Sequence, residues 1–244
     1  MIEVAINGTR SKGKHPGIPL MPDEIVQDVV AVAKEGAQAV HLHVRNAFGE
    51  ETLEPAWVNH ILIRLRSLVP QLPIGISTGE WIEPDLRKRL DLLRNWEVLP
   101  DFVSVNLHEE GFQEVAAIIL EKGIGLEAGI YDQKAAKALI ESNFSKRCKR
   151  VLIEPQEQNL PAARRTVESV MQVLAEGRIT IPKLLHGFDA TTWPLIEMAS
   201  QKGFDTRIRF EDCLFLPGGE PAEDNANLLR VTRKLVNEMG KFDL

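Results

Sequence analysis

Lys34–His43 reads KEGAQAVHLH: a basic residue, a glycine within two positions, then a short apolar run. The same phrase returns as EKGIGLEAGI at Glu121–Ile130 and as QKGFDTRIRF at Gln201–Phe210. In each, a helix stops, a glycine supplies the left-handed turn that closes it, and a strand begins. That is the connection from helix to strand in a wound α/β fold, met three times. Working outward, apolar runs predict strands at Glu3–Asn7, Ala39–Val44, Ile74–Ser77, Phe102–Asn106, Ile124–Gly129, Arg150–Glu154, Lys183–His186 and Thr206–Glu211. Between them, amphipathic patterns predict helices over Asp23–Glu35, Pro55–Leu68, Pro84–Trp96, Glu110–Lys122, Gln133–Ser142, Pro161–Ala175, Thr191–Lys202 and Ala222–Met239. Prolines near the helix starts (Pro22, Pro55, Pro84, Pro161, Pro194) and glycines after the ends (Gly36, Gly123, Gly177, Gly203) mark the boundaries.

Eight strands alternating with eight helices predict a (β/α)8 TIM barrel, read as one domain over residues 1–244. The first strand has no GxGxxG turn, which argues against a dinucleotide-binding sheet. A formal charge of -6 is the wrong sign for gripping a nucleic-acid backbone. No run approaches the ~20 apolar residues of a membrane span, and MIEVAINGTR has no signal-peptide core. Cys148 and Cys213 are far apart and match no zinc spacing, so a reduced, cytoplasmic setting is expected.

A barrel carries its chemistry at the C-terminal ends of its strands. There, AVHLHV places His41 and His43 on one face, about 6.5 Å apart along the strand, with Leu42 on the other. A lone strand histidine is ordinarily a satisfied core residue, whereas two on one face can converge on one divalent ion. In TRIRFED, Arg207, Arg209 and Glu211 share the parity opposite to Ile208 and Phe210, so the charges should face the interior. Glu211 is then the third donor of a His2Glu set; the competing reading is an Arg–Glu ion pair that plugs the barrel. Asp212 reaches the site only if the strand ends and the chain turns. Ser77, Thr78 and Gly79 offer hydroxyls and N–H groups to a carboxylate, and Ser104, Asn106 and His108 follow the fourth strand. Glu127, Glu154 and His186 make other strand ends polar, and NGTRSKGKHPG is a basic, glycine-bearing loop able to cover an anion.

AINGTR, HPGIPLMPDEI, AVHLHVRNAFGEETLEP, ISTGEWIEPD, DFVSVNLHEEG, GLEAGIYD and TRIRFEDCLFLPGGEPAEDNANLL, in this order and over nearly the whole chain, resemble the β-keto acid cleavage enzymes. The resemblance implies a zinc-dependent transferase. It would condense a β-keto acid with acetyl-CoA and release acetoacetate and a new acyl-CoA by a retro-Claisen reaction, as a homo-tetramer or dimer. It implies His41, His43 and Glu211 as ligands of one Zn2+ per subunit. Asp212 becomes the base with Arg207 beside it. Ser77 and the backbone near Glu80 become the carboxylate site, helped by Ser104 and Asn106. Three positions depart from the family pattern. Arg10 stands where aminohexanoate-cleaving members read an amine with a glutamate, which predicts a substrate with a neutral or anionic tail. Glu80 replaces a glycine and is expected to narrow or charge the pocket. Arg209 replaces a glycine and is expected to crowd the barrel beneath the metal. Two alternatives use the same residues: a metal-dependent hydrolase of the amidohydrolase kind, and a silent barrel that binds a small acid.

Overall fold

The computed structural model describes residues 1–239. Strands β1 (Ile2–Ala5), β2 (Ala39–Leu42), β3 (Ile74–Ser77), β4 (Phe102–Asn106), β5 (Gly125–Ile130), β6 (Arg150–Ile153), β7 (Lys183–Leu185) and β8 (Asp205–Arg209) form a closed barrel in chain order. Every neighbouring pair is parallel, and β8 pairs with β1. Around them lie α1 (Pro22–Lys34), α2 (Pro55–Leu68), α3 (Leu86–Arg94), α4 (Phe112–Glu121), α5 (Gln133–Glu141), α6 (Leu160–Glu176), α7 (Thr192–Gln201) and α8 (Asn225–Met239). This is a (β/α)8 TIM barrel. Residues 240–244 of the expected 1–244 domain lie outside the described residues. No described helix is long and apolar enough to cross a membrane.

The register sorts the strands into two faces. Val4, Val40, Leu42, Ile74, Ile76, Val103, Val105, Leu126, Val151, Ile153 and Ile208 are buried apolar residues of the core. Branched side chains of this kind suit the pleated surface between sheet and helices. The opposite parity turns inward and is polar: register pairs Glu3 with Arg207, Glu127 with Arg150, and Ser77 with Ser104. One face of the sheet therefore supplies the hydrophobic stabilisation, which leaves the barrel lumen available for charge.

Most elements differ from the sequence reading by one to three residues at an end, and two of these shifts have clear local reasons. The last strand ends at Arg209 rather than Glu211, because the N–H groups of Asp212 and Cys213 both donate to the Arg209 carbonyl and turn the chain. Helix α3 starts at Leu86 rather than Pro84, because the Asp85 side chain accepts the Lys88 N–H as an N-cap. One expected glycine cap is also corrected. Gly36, Gly123 and Gly203 have positive φ, but Gly177 stays helical at φ −76 and Arg178 takes the left-handed position at φ 57.

Candidate active site and metal centre

Deep in the lumen, four fully enclosed charges form a ring. Arg207 Nε donates to Glu3 Oε1 at 2.6 Å and Arg207 Nη2 to Glu127 Oε2 at 2.8 Å, while Arg150 bonds the second oxygen of each carboxylate. The Arg150 guanidinium also lies over the Phe102 ring, 4.9 Å from its centroid. Two carboxylates and two guanidiniums cancel, which makes such burial tolerable. An Arg–Glu plug therefore exists, one layer below the place where the sequence suggested it. It absorbs Arg207, which lies beside Glu3 and Glu127 rather than beside Asp212. Glu3, His41 and Glu127 do bring ligand atoms within 4.8 Å of one another. A dication there would face both guanidiniums, so electrostatics argues against that trio.

Above the ring a cavity of about 230 Å³ opens at the strand ends, lined by His41, His43, Ser77, Ser104, Asn106, Glu154, Arg209 and Glu211 among others. Drug-sized ligands occupy roughly 300–1,000 Å³, so this space suits a small acid and leaves a large co-substrate outside the mouth. His41 and His43 present their rings edge to face with centroids 5.7 Å apart. His43 Nε2 lies 3.7 Å from Glu211 Oε2. Tetrahedral donors with metal bonds of about 2.0–2.2 Å stand about 3.4 Å apart, close to that spacing. His41 Nδ1 and His43 Nδ1 are buried without a hydrogen-bond partner, whereas Glu211 Oε2 is ion-paired with Arg209 Nη1 at 2.6 Å. Burial, reinforced by Arg207, holds the His41 imidazole neutral, the form that can coordinate. Two imidazoles and a carboxylate are donors of the type that holds a borderline cation such as zinc, although among the described residues only Glu3, His41 and Glu127 bring three ligand atoms within 4.8 Å of one another.

The supports of the triad come from several loops. Asn7 accepts the His43 N–H and donates to the His43 carbonyl, both at 2.9 Å, and so ties the end of β1 to β2. Gly8, at φ +59, leaves the volume that the Glu211 carboxylate occupies; a Cβ there would sit 1.9 Å from Glu211 Cδ. Glu51 stands 3.4 Å from His43 Nδ1 and is held by Trp81 Nε1 at 2.7 Å and by Arg45. Burial pushes the Glu51 carboxyl up, but His43, Trp81 and Arg45 together hold it below its usual range.

Asp212 is enclosed, and Arg209, not Arg207, is its guanidinium partner. Arg209 Nε lies 2.5 Å from Asp212 Oδ2, and Arg209 Nη1 lies 2.6 Å from Glu211 Oε2. Rather than merely crowding the floor, Arg209 bridges the two neighbouring carboxylates. Burial works to raise the Asp212 pKa, yet Arg209 and His186 bring it below the ordinary value. Both oxygens of Asp212 are shut off from solvent, and the residue does not line the cavity.

The remaining candidates divide. Ser77, Ser104 and Asn106 line the cavity. Thr78 instead donates its hydroxyl to the Ser104 carbonyl, and Gly79 packs under the Trp81 ring. The Glu80 N–H, expected to bind a carboxylate, already donates to Glu109 at 3.0 Å. The Glu80 side chain accepts the Glu110 N–H and neither narrows nor charges the cavity. Arg10 is held by Asp189 at 2.8 Å and stands outside the lining. Glu51, Trp81 and Glu109 were not anticipated. Glu51 enters because Asn46–Glu50 folds back and pairs it with Arg45, a contact that no strand parity encodes.

The profile of the beta-keto acid cleavage enzyme family matches residues 1–242. The chain belongs to this family. Among curated relatives of this beta-keto acid cleavage enzyme, the 3-keto-5-aminohexanoate cleavage enzyme of Fusobacterium nucleatum is 22% identical over 99% of this chain and 92% of its own length. The 3-oxoadipate:acetyl-CoA acetyltransferase of Cupriavidus necator is 34% identical, over 32% of this chain and 28% of its own length. Among solved structures, a type I 3-dehydroquinate dehydratase from Clostridium difficile superimposes with TM-score 0.66 at 12% identity, covering 99% of this chain and 92% of that one. That likeness shows the shared barrel alone. Family membership removes the amidohydrolase alternative.

Proposed function

We propose that this beta-keto acid cleavage enzyme converts a β-keto acid and acetyl-CoA into acetoacetate and a new acyl-CoA, with one zinc ion per chain on His41, His43 and Glu211. The observation that carries the reading is that His41, His43 and Glu211 all line the small polar cavity, with His43 Nε2 3.7 Å from Glu211 Oε2. The co-substrate is suggested by the acetyl-CoA transferase named among the relatives. When bound, the ion would polarise the keto-acid oxygens and stabilise the enolate charge. Ser77, Ser104 and Asn106 orient the acid by hydrogen bonds to its oxygens. The lining also includes Tyr131, Leu152 and Phe188, while Arg10 is latched to Asp189. These surroundings favour a neutral, apolar tail over an anionic one. Asp212 supplies the buried negative charge that drives removal of the C2 proton, with Arg209 as its counter-ion.

The test is a panel of 3-oxo acids of increasing tail length, incubated with zinc-replete protein. Acetoacetate should form only when acetyl-CoA is present, one equivalent per acyl-CoA. Product formation without acetyl-CoA, or none with any member, would sink the reading.

Glu51 makes a separate point about the metal. A carboxylate facing the far nitrogen of a ligating imidazole orients the ring and raises its basicity. Glu51→Gln should therefore lower zinc affinity about 10–100-fold, read by competition with a chromogenic chelator. Unchanged affinity would remove Glu51 from the metal site.

A further inference from the structure

Just past β4 the chain turns, with the Glu109 N–H donating to the Asn106 carbonyl at 3.2 Å, and the turn brings the Glu109 side chain back against Asn106. There Glu109 Oε1 accepts an N–H of Asn106 Nδ2 at 2.6 Å, and Oε2 accepts the Glu80 N–H at 3.0 Å. Arg89, enclosed on α3, puts Nη1 3.6 Å from the same Oε2 and donates through Nη2 to the Glu110 carbonyl. Glu109 is thus a buried carboxylate that ties the loop after β3 to the end of β4. Burial pushes its carboxyl up to about 7, with Asn106, the Glu80 N–H and Arg89 pulling against that and the Glu80 charge adding to it.

A carboxylate only accepts, so Glu109 settles which way the Asn106 amide faces. One N–H is committed to Glu109, the second stays available to the acid, and Oδ1 turns towards Gly129. Gly129 pairs with Asn106 in register and shares the inward face of Glu127. A Cβ on Gly129 would stand 2.5 Å from Asn106 Oδ1 and 3.1 Å from Glu154 Oε1. That corner of the lumen therefore gathers two acceptor oxygens. The guanidiniums of the lining do not offset them, because Arg207 is shared between Glu3 and Glu127, and Arg209 between Glu211 and Asp212.

We propose that Glu109 is a specificity-determining residue that acts through Asn106: it locks the amide with its oxygen towards the lumen and so turns away a 3-oxo acid carrying a second carboxylate. This rests on the keto-acid reading given above and names the group behind its preference for a neutral tail. The rejection is electrostatic. An anionic tail at the Gly129 corner meets acceptor oxygens, and a cavity of about 230 Å³ gives a six-carbon acid little room to avoid them. Released from Glu109, the amide can rotate and offer that tail an N–H instead.

Two acids of equal length make the test: 3-oxohexanoate and 3-oxoadipate differ only by a terminal methyl against a terminal carboxylate. The kcat/KM of each is measured with acetyl-CoA on zinc-replete protein, and the wild type should prefer the monoacid. In Glu109→Gln the charge is gone, and one amide oxygen cannot accept from both Asn106 and Glu80. The diacid-to-monoacid ratio should rise about 10–100-fold, the worth of one charged hydrogen bond. Loss of packing alone would slow both acids alike and leave the ratio unmoved. Glu109→Leu combined with Arg89→Met removes the buried pair together, avoids an unpaired guanidinium, and should shift the ratio the same way. A wild-type ratio in both variants would overturn the inference and leave the overall reaction standing. So would a wild-type protein that takes the two acids equally well. A wild-type protein that turns over no 3-oxo acid would overturn both.

Discussion

Replacing Arg207 by methionine is expected to destabilise the fold by about 3–5 kcal/mol, an effect separate from its place at the floor of the cavity. Arg207 holds one oxygen each of Glu3 and Glu127, and Arg150 holds the others. With Arg207 gone, the ring keeps two buried carboxylates for one guanidinium. Burial already pushes the Glu127 carboxyl up to about 7, with Arg207 pulling against it. In the variant that opposition disappears and the pKa rises further. A carboxyl whose folded pKa exceeds its unfolded value binds more protons when folded, so its contribution to stability falls as pH rises between the two values. Wild-type protein has passed through that window by about pH 7; the variant continues to lose stability above it. Urea unfolding at pH 6 and pH 8 should therefore show a larger gap between the two proteins at pH 8. Replacing Glu127 by methionine in the same chain removes the uncompensated charge and should recover most of the loss. A loss within the usual small range of a surface substitution would mean that the ring carries no net charge to disrupt.

The fold was legible because its signals are local. The helix–glycine–strand phrase recurs, and strands β3 and β4 and helix α2 fall on their expected residues. Parity along single strands also placed His41, His43 and Arg207 on the lumen side. What parity cannot supply is partnership. Glu3 and Arg207 are 204 residues apart, and only the closing pair β1–β8 brings them level. The family resemblance, not parity, put Arg207 beside Asp212. Once the chain turns at Arg209, the shorter spacing wins and Arg209 takes that place. Glu154 and His186 were visible only as polar residues at strand ends, and their meeting depends on the curvature of β6, β7 and β8 around one lumen.

The adjacent carboxylates Glu211 and Asp212 should separate metal binding from chemistry. Glu211 lines the cavity, is ion-paired with Arg209, and lies 3.7 Å from His43 Nε2. Glu211→Gln removes the anionic donor and leaves two imidazoles near Arg209, whose positive charge repels a dication. Zinc content should fall towards zero, and turnover should fall with it. A bound metal is worth several kcal/mol of transition-state stabilisation, so the loss is about 10³-fold or more at 1.36 kcal/mol per tenfold. Asp212→Asn leaves all three donors in place, and Arg209 keeps its contact with Glu211. Zinc should stay at one per chain while turnover falls by about 10²–10⁴-fold, the range for a proton-transfer group. Metal analysis beside steady-state rates distinguishes the pair. If Asp212→Asn lost its zinc, or Glu211→Gln kept both zinc and turnover, the division of labour between these neighbours would be wrong. The physical ground for expecting it is the turn at Arg209: it sends one carboxylate into the cavity and buries the next behind a guanidinium.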